Sequence, residues 1–285
     1  MLLTKDIGKW AIAGLIGMAT ACSAVPAAAE DREDCVRGSG DAAIEACTRL
    51  LGSGRFNKSN LALIYSARAN QWERKGDLDK AMQDHAESLR TDPTYAAGYM
   101  HRGNLYARRG DYQRAIADQS EAIRLDPAYP NGFYNRGLTY SHMGDHERAI
   151  ADFTKGIELT ANSSQLWGQR CWSRAVLGKQ LQEAVEDCDK AAALSPKISL
   201  IFAYRGFAYL KLGQFDKALD FYQQAIAAAE EARQSDSLHL ALYRAGSLAA
   251  AMQRMPEAKS SLERLVSLVP DYKDARQRLQ EIDKS

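Results

Sequence analysis

A period of 34 residues runs through most of the chain and constrains its fold more than any other feature. Arginine, glycine, alanine and aspartate each recur at this step. The recurring residues are Arg68, Arg102 and Arg136; Gly76, Gly110 and Gly144; Ala81, Ala115 and Ala149; and Asp84, Asp118 and Asp152. After one inserted residue the pattern continues through Arg170, Gly178, Ala184 and Asp187, then through Arg205, Gly213 and Ala218. A fixed period of this length predicts a solenoid, in which each unit buries its apolar face against the next.

Each unit has the pattern of two helices joined by a tight turn. In one unit the turn is Gly110-Asp111, where glycine allows the positive φ that a helix end requires. The second helix is apolar at helical spacing and stops at Asp126-Pro127, because proline cannot continue a helix. Small residues fall where the two helices approach most closely. On the first helix these are Ala69, Gly103, Gly137 and Gly206.

This arrangement of Gly, Tyr, Ala and Pro in a 34-residue helix-turn-helix resembles the tetratricopeptide-repeat (TPR) family. The resemblance implies an all-α fold, a right-handed superhelical solenoid of helix-turn-helix repeats with a C-terminal capping helix. We place five repeats at 62–95, 96–129, 130–163, 164–198 and 199–232, a diverged sixth at 238–272, a capping helix at 273–285 and a helical hairpin at 30–61. The capping helix would cover the apolar end of the stack.

The first 29 residues have the composition of a secretory signal peptide. Lys5 and Lys9 give a basic start, and the apolar stretch 10–21 is too short to span a bilayer comfortably. Small residues at 27–29 predict cleavage after Ala29. We therefore expect an exported, periplasmic protein with no membrane span in its mature form. An uncleaved anchor and lipid attachment through Cys22 remain alternatives.

Four cysteines remain after cleavage, and an even number in an exported protein suggests disulfides. Cys47 and Cys188 occupy matching places on second helices, and Cys171 stands where other repeats have a small residue of the first helix. Of three possible connectivities, the repeat register favours Cys35 with Cys47 and Cys171 with Cys188. Buried free thiols are the alternative. A metal site is not expected, because no Cys-x-x-Cys pair is present.

Two repeated charges depart from the family pattern, which has leucine and an apolar or aromatic residue at these places. We expect the arginine to pair with the aspartate across the hairpin or toward the next repeat, because a half-buried carboxylate needs a partner. The paired positions are Arg68 and Asp84, Arg102 and Asp118, Arg136 and Asp152, and Arg170 and Asp187. The fifth repeat keeps Arg205 but has Phe221 in the aspartate position. A row of ligand-binding arginines is the alternative.

The resemblance also implies a concave groove, lined by the first helices, that receives a peptide or a helix. Carrying the groove positions over gives Ser66, Asn70, Arg74, Met100, Asn104, Arg108, Tyr134, His142, Trp172, Phe207 and Lys211. The amides and arginines of the first two repeats partly resemble a clamp for a peptide carboxylate, although Ser66 replaces a basic residue of that clamp. The three aromatic residues would anchor a partner if exposed, and burial between repeats is the alternative for Trp172 and Phe207.

No feature of the sequence indicates catalysis. It has no phosphate-binding loop, no serine-nucleophile motif and no zinc-protease spacing of histidines, and its acidic residues recur with the repeat. With 37 basic against 36 acidic residues, nothing suggests nucleic acid as a partner. We expect no enzyme and no cofactor, but a scaffold or adaptor that binds a protein. The alternatives are a recruiting or substrate-binding subunit of an envelope-biogenesis or secretion enzyme complex, and a self-associating structural envelope protein.

Overall fold

The computed structural model describes residues 27–284 of the chain, with side chains from residue 30 onward. These residues form fifteen helices and no strand. The predicted signal peptide, apart from the backbone of 27–29, and Cys22 lie outside the described residues. The helices are α1 (Ala27–Arg37), α2 (Gly40–Gly52), α3 (Lys58–Lys75), α4 (Leu78–Thr91), α5 (Ala96–Arg108), α6 (Tyr112–Leu125), α7 (Pro130–His142), α8 (His146–Leu159), α9 (Ser164–Leu177), α10 (Leu181–Leu194), α11 (Ser199–Lys211), α12 (Phe215–Glu231), α13 (Ser235–Ala251), α14 (Met255–Leu268) and α15 (Ala275–Ile282). Helix α3 begins ahead of the predicted repeat start at residue 62.

The helices pack as consecutive hairpins, and the order of their contacts defines an inner and an outer layer. Each odd-numbered helix pairs with the even-numbered helix that follows it, and each hairpin packs on the next. Successive odd-numbered helices also touch one another, whereas in the described chain successive even-numbered helices do not. The stack therefore curves, with the odd-numbered helices on its concave inner face and the even-numbered helices outside.

Glycine and aspartate build the turn inside the repeats that follow the period most closely. Gly76, Gly110 and Gly144 have φ of 86°, 77° and 80°, a region that side chains strain to reach. The next residue in each repeat is an aspartate whose side chain accepts a hydrogen bond from a backbone N–H of the second helix. Each turn thus ends one helix and begins the next within two or three residues.

Small residues let the two helices of a hairpin approach an aromatic side chain. A Cβ atom added to Gly137 would lie 2.7 Å from the ring of the fully buried Phe153. One added to Gly206 would lie 2.7 Å from the ring of Tyr222. The glycine of the first helix and the ring of the second are therefore complementary.

Two disulfides join the arms of hairpins. Cys35 of α1 is bonded to Cys47 of α2, and Cys171 of α9 is bonded to Cys188 of α10. All four residues are fully buried. One bond therefore closes the N-terminal hairpin and the other closes a hairpin in the middle of the stack.

The last helix covers the end of the stack. Ala275 is fully buried against Leu262 and Leu265 of α14, and Leu279 packs on the same cluster. Asp274, at the start of α15, accepts hydrogen bonds from the Tyr243 hydroxyl at 2.7 Å and from Arg278 Nε at 2.9 Å. Apolar contacts and the hydrogen bonds of Asp274 both hold α15 on the final hairpin.

Candidate partner-binding surface

A row of ion pairs fixes the position of the inner helices against the outer ones. In four successive hairpins the arginine of the inner helix donates through Nε and Nη2 to both oxygens of an aspartate on the outer helix, at 2.7–2.9 Å. The pairs are Arg68–Asp84, Arg102–Asp118, Arg136–Asp152 and Arg170–Asp187. Each aspartate is buried. The arginines are therefore engaged inside the fold and are not presented to a ligand.

Three of these four arginines also reach the preceding hairpin. Arg136 Nη1 donates to Ser120 on α6 at 3.0 Å, and Arg170 Nη1 donates to Thr154 on α8 at 3.1 Å. Arg68 makes the equivalent bond to Thr48, at 3.0 Å. The hydrogen bond to the aspartate raises the pKa of Arg68, Arg102 and Arg136, although burial opposes it. The guanidinium groups of Arg68, Arg136 and Arg170 therefore each join three helices of two neighbouring units.

Arg205 keeps this function with different partners. Its guanidinium carbon lies 4.1 Å from the centre of the Phe221 ring, which occupies the aspartate position. Its Nη2 pairs with Asp189 on the preceding outer helix at 2.6 Å. The carboxylate that pairs with this arginine therefore belongs to the preceding hairpin instead of its own.

Sequence reasoning missed this second set of partners, although a signal was present. Ser120, Thr154 and Asp189 each lie two residues after a repeat aspartate. The equivalent residue in the repeat before is Ala86, and the structure gives Arg102 no such bond. A polar residue at this place predicts the contact between repeats.

The predicted groove residues divide by exposure. Ser66 and Met100 are buried, with exposed fractions of 2% and 5%, which corrects their prediction as exposed groove positions. Met100 still lines a cleft of about 230 Å³ with His101 and Tyr129. The other positions lie half-buried or exposed on the inner helices. They are Asn70, Arg74, Asn104, Arg108, Tyr134, His142, Trp172, Phe207 and Lys211. The burial has a packing cause, because Met100 fills the space beside Gly132.

At the N-terminal end of this face the charges satisfy one another. Glu73 accepts a hydrogen bond from Arg108 Nη1 at 2.9 Å and lies 3.2 Å from Nε2 of the fully buried His85. His101 stacks on His85 at 5.6 Å between ring centroids. Burial raises the pKa of Glu73, but His85, Arg108 and His101 lower it overall. A carboxylate clamp is therefore disfavoured here, because Glu73 already occupies Arg108.

Asn104, the other clamp-like amide, is also engaged. Gln119 donates to its oxygen at 3.1 Å and accepts from the Thr139 hydroxyl at 3.0 Å. Both partners are buried. The amide therefore completes a hydrogen-bonded chain across three helices.

The C-terminal part of the inner face is aromatic. Trp172 on α9 lies 5.0 Å from Tyr204 and 4.9 Å from Phe207, both on α11, between ring centroids. All three rings are half-buried. Tyr204 also lines a cleft of about 170 Å³ with Tyr134, Leu200 and Ile201. This aromatic cluster, Trp172 with Tyr204 and Phe207, and the adjoining cleft form the apolar part of the inner face.

Family models match the repeats along the chain. A model described as TPR repeat matches residues 103–144, and models described as tetratricopeptide repeat match 130–160, 199–231 and 240–272. The chain is a tetratricopeptide-repeat protein. Proteins of this family are generally non-catalytic and bind other proteins, and the chain is a scaffold for protein–protein interaction in this sense. No match was found among curated protein sequences.

Solved structures of other TPR proteins share the fold. YrrB, described as a TPR protein with an unusual peptide-binding site, is 22% identical with a TM-score of 0.55, covering 69% of this chain and 98% of its own. PilW, a type IV pilus biogenesis factor, is 17% identical with a TM-score of 0.68, covering 77% and 98%. A TPR protein from Parabacteroides merdae is 16% identical with a TM-score of 0.68, covering 90% and 97%.

No group of three or more His, Cys, Asp or Glu side chains within 27–284 could hold a metal ion. Over the same residues, no helix combines the length and the apolar character needed to cross a bilayer.

Proposed function

We propose that this TPR protein is a periplasmic, non-catalytic adaptor that holds a peptide or helix of another protein on its inner face. The observation that carries the proposal is the aromatic cluster of Trp172, Tyr204 and Phe207. Its rings are half-buried, so each keeps accessible surface on the helices that line the concave side. Aromatic side chains of this kind are frequent binding hot spots.

The compartment is supported by the disulfides and by the N-terminal sequence. Disulfides persist in oxidising compartments and are rare in the cytosol. Both bonds close hairpins of the stack. The fold is also shared with PilW, described as a type IV pilus biogenesis factor. This likeness is compatible with the alternative of a recruiting or substrate-binding subunit of an envelope-biogenesis or secretion enzyme complex. Fractionation of cells, with N-terminal sequencing that begins at residue 30, tests the periplasmic location.

Site-directed photocrosslinking tests which face binds. A benzophenone amino acid placed at Lys211, on the inner face, should capture a partner in cells. The same group at Glu186, exposed on α10 of the outer face, is the matched control. Capture from position 186 alone would contradict the groove.

The captured species separates the three functions. A non-enzymatic protein supports the adaptor, and an enzyme supports the recruiting subunit. A second copy of the chain supports self-association. The double substitution Trp172→Ala and Phe207→Ala should abolish capture from position 211 if the aromatic cluster is the anchor.

A further inference from the structure

One half-buried arginine of the inner face has no carboxylate partner in the described chain. Arg244 of α13 comes one residue before the repeat-arginine position of the sixth repeat, which Ala245 holds beside Gly246, and Ser261 stands where earlier repeats have aspartate. No acidic side chain between residues 30 and 284 pairs with Arg244. Its only hydrogen bond there is from Nη1 to the backbone oxygen of Ala203, at 3.4 Å. A half-buried charge with so weak a partner is costly, so it is suited to an anion from outside.

The aromatic cluster holds this guanidinium in place. The carbon of the guanidinium lies 5.3 Å from the centre of the Trp172 ring and 5.7 Å from that of Phe207. Because the two ring centroids are only 4.9 Å apart, both rings lie on one side of the group and leave its N–H edge for a ligand. Neither Nε nor Nη2 is among the buried unsatisfied atoms, so both reach solvent.

Two neighbouring side chains add further hydrogen-bond donors beside Arg244. Lys211 lies 5.5 Å from the Phe207 ring and likewise has no acidic partner in the described chain. The hydroxyl of buried Tyr222, close enough to feel the charge of Arg244, has no hydrogen-bond acceptor. This region is therefore rich in donors and poor in acceptors, unlike the N-terminal end, where Glu73 supplies the acceptor.

We infer that Arg244, with Trp172, Phe207 and Lys211, forms a subsite for a carboxylate side chain of an acidic peptide. The guanidinium edge would bind the two oxygens together. An apolar side chain next to the acidic residue of the peptide would enter the cleft lined by Tyr204, which belongs to the aromatic cluster. The inference rests on the proposed function and names the chemistry of the partner.

Nuclear magnetic resonance titration of the mature protein tests the subsite. The probes are end-blocked peptides Leu-Glu-Leu and Leu-Gln-Leu, which differ only in the charge. The Glu peptide should shift the indole resonance of Trp172 and bind at least about tenfold more tightly than the Gln peptide. Equal affinity for the two peptides would overturn the inference.

Matched variants assign the effect to Arg244. R244Q should weaken binding of the Glu peptide about tenfold, and R244K should restore part of it, because the charge remains but the planar edge is lost. R254Q removes a positive charge from an exposed arginine that pairs with Asp216, and should change little. If R244Q lowers only the melting temperature and leaves peptide binding intact, Arg244 has a structural function alone.

Two further outcomes separate this inference from the proposed function. Binding of both peptides with the same affinity, mapped to the inner face, would keep the groove and remove the carboxylate subsite. Shifts by neither peptide, together with no photocrosslink at position 211, would remove both. Inorganic phosphate that displaces the Glu peptide at equal concentration would contradict the assignment to a carboxylate.

Discussion

The repeat arginines from Arg68 to Arg205 are structural residues because their partners belong to the fold. Buried ion pairs contribute little net stability over apolar packing, but removing one partner leaves an unpaired charge. The bidentate geometry requires one relative placement of the two helices. We interpret the row as a device that sets how one hairpin meets the next.

Replacing Asp118 with alanine should destabilise the fold by about 3 kcal/mol, because Arg102 then stays half-buried without a counter-charge. Urea unfolding followed by circular dichroism measures the change. The control is Asp79→Ala, whose carboxylate pairs with Arg109 at the surface and is 89% exposed. Equal losses in the two variants would contradict a structural function for the buried pair.

His101 should make stability depend on pH. Burial lowers its pKa below the ordinary 6.5, as does the charge of neighbouring His85, while Glu73 opposes this. The folded protein therefore binds this proton less tightly than the unfolded chain does. Stability conferred by the neutral ring is present above pH 6.5 and decreases as the pH falls below it.

His101→Gln should reduce the loss of stability between about pH 7 and pH 5.5, because the variant has no proton to bind at this position. Unfolding curves at a series of pH values measure the slope. His142→Gln, which replaces an exposed histidine of the same face, is the matched control. Parallel slopes for wild type and His101→Gln would contradict the prediction.

At the scale of the helix pair, glycine residues of the inner helices lie in two different environments. Gly137 faces the Phe153 ring with no room for a methyl group. Gly168, also in an inner helix, has no side-chain atom within 3.8 Å of an added Cβ. Its nearest neighbour would be Ile201, at an ordinary contact distance.

Gly137→Ala should therefore destabilise by about 1–3 kcal/mol through overpacking. Gly168→Ala should stabilise by about 1 kcal/mol, because alanine favours the helix and the methyl group fits. Thermal and urea unfolding of the two variants give the comparison. A destabilised Gly168→Ala protein would show that the space beside Ile201 is not free.

The helix pairs were predictable from the sequence because period, turn residues and apolar spacing agree. Gly110, Asp111 and Pro127 each mark a boundary by a local conformational preference, which needs no tertiary information. Less was predictable where contacts between repeats decide the outcome. Arg205 pairs with Asp189 of the preceding unit, so a comparison of residues within one hairpin does not identify this partner.

The candidate surface was only partly predictable for the same reason. A family register assigns Met100 to the groove, but Gly132 of the next repeat opens a space that this side chain fills. Arg244 lies one residue before the repeat-arginine position, and its distinctive property is a missing partner. Such a property is visible only when the surroundings of the side chain are known.

For the whole molecule, the two disulfides differ in where they lie along the stack. In a solenoid each unit contacts only its neighbours, so a terminal unit can unfold alone. A central unit contacts units on both sides, so its unfolding breaks the stack in two. The Cys35–Cys47 bond closes the terminal hairpin of α1 and α2. The Cys171–Cys188 bond closes the α9–α10 hairpin, with several units on each side.

Removal of the two disulfides should therefore have different effects on unfolding. Replacing Cys35 and Cys47 with alanine should speed amide hydrogen exchange in α1 and α2 and leave α5 to α8 unchanged. Replacing Cys171 and Cys188 should lower the stability of the main transition by about 3 kcal/mol. Exchange mass spectrometry and urea unfolding distinguish them. Identical patterns would mean that the stack unfolds as one unit.

The turn between α9 and α10 has a practical use. It contains the inserted residue, with positive φ at both Gly178 and Gln180, and the pair of Arg170 with Asp187 is 17 residues apart where the others are 16. The ion pair keeps its geometry all the same. Since loop entropy grows slowly with length, a reporter tag could be grafted between Lys179 and Gln180 without disturbing the inner face.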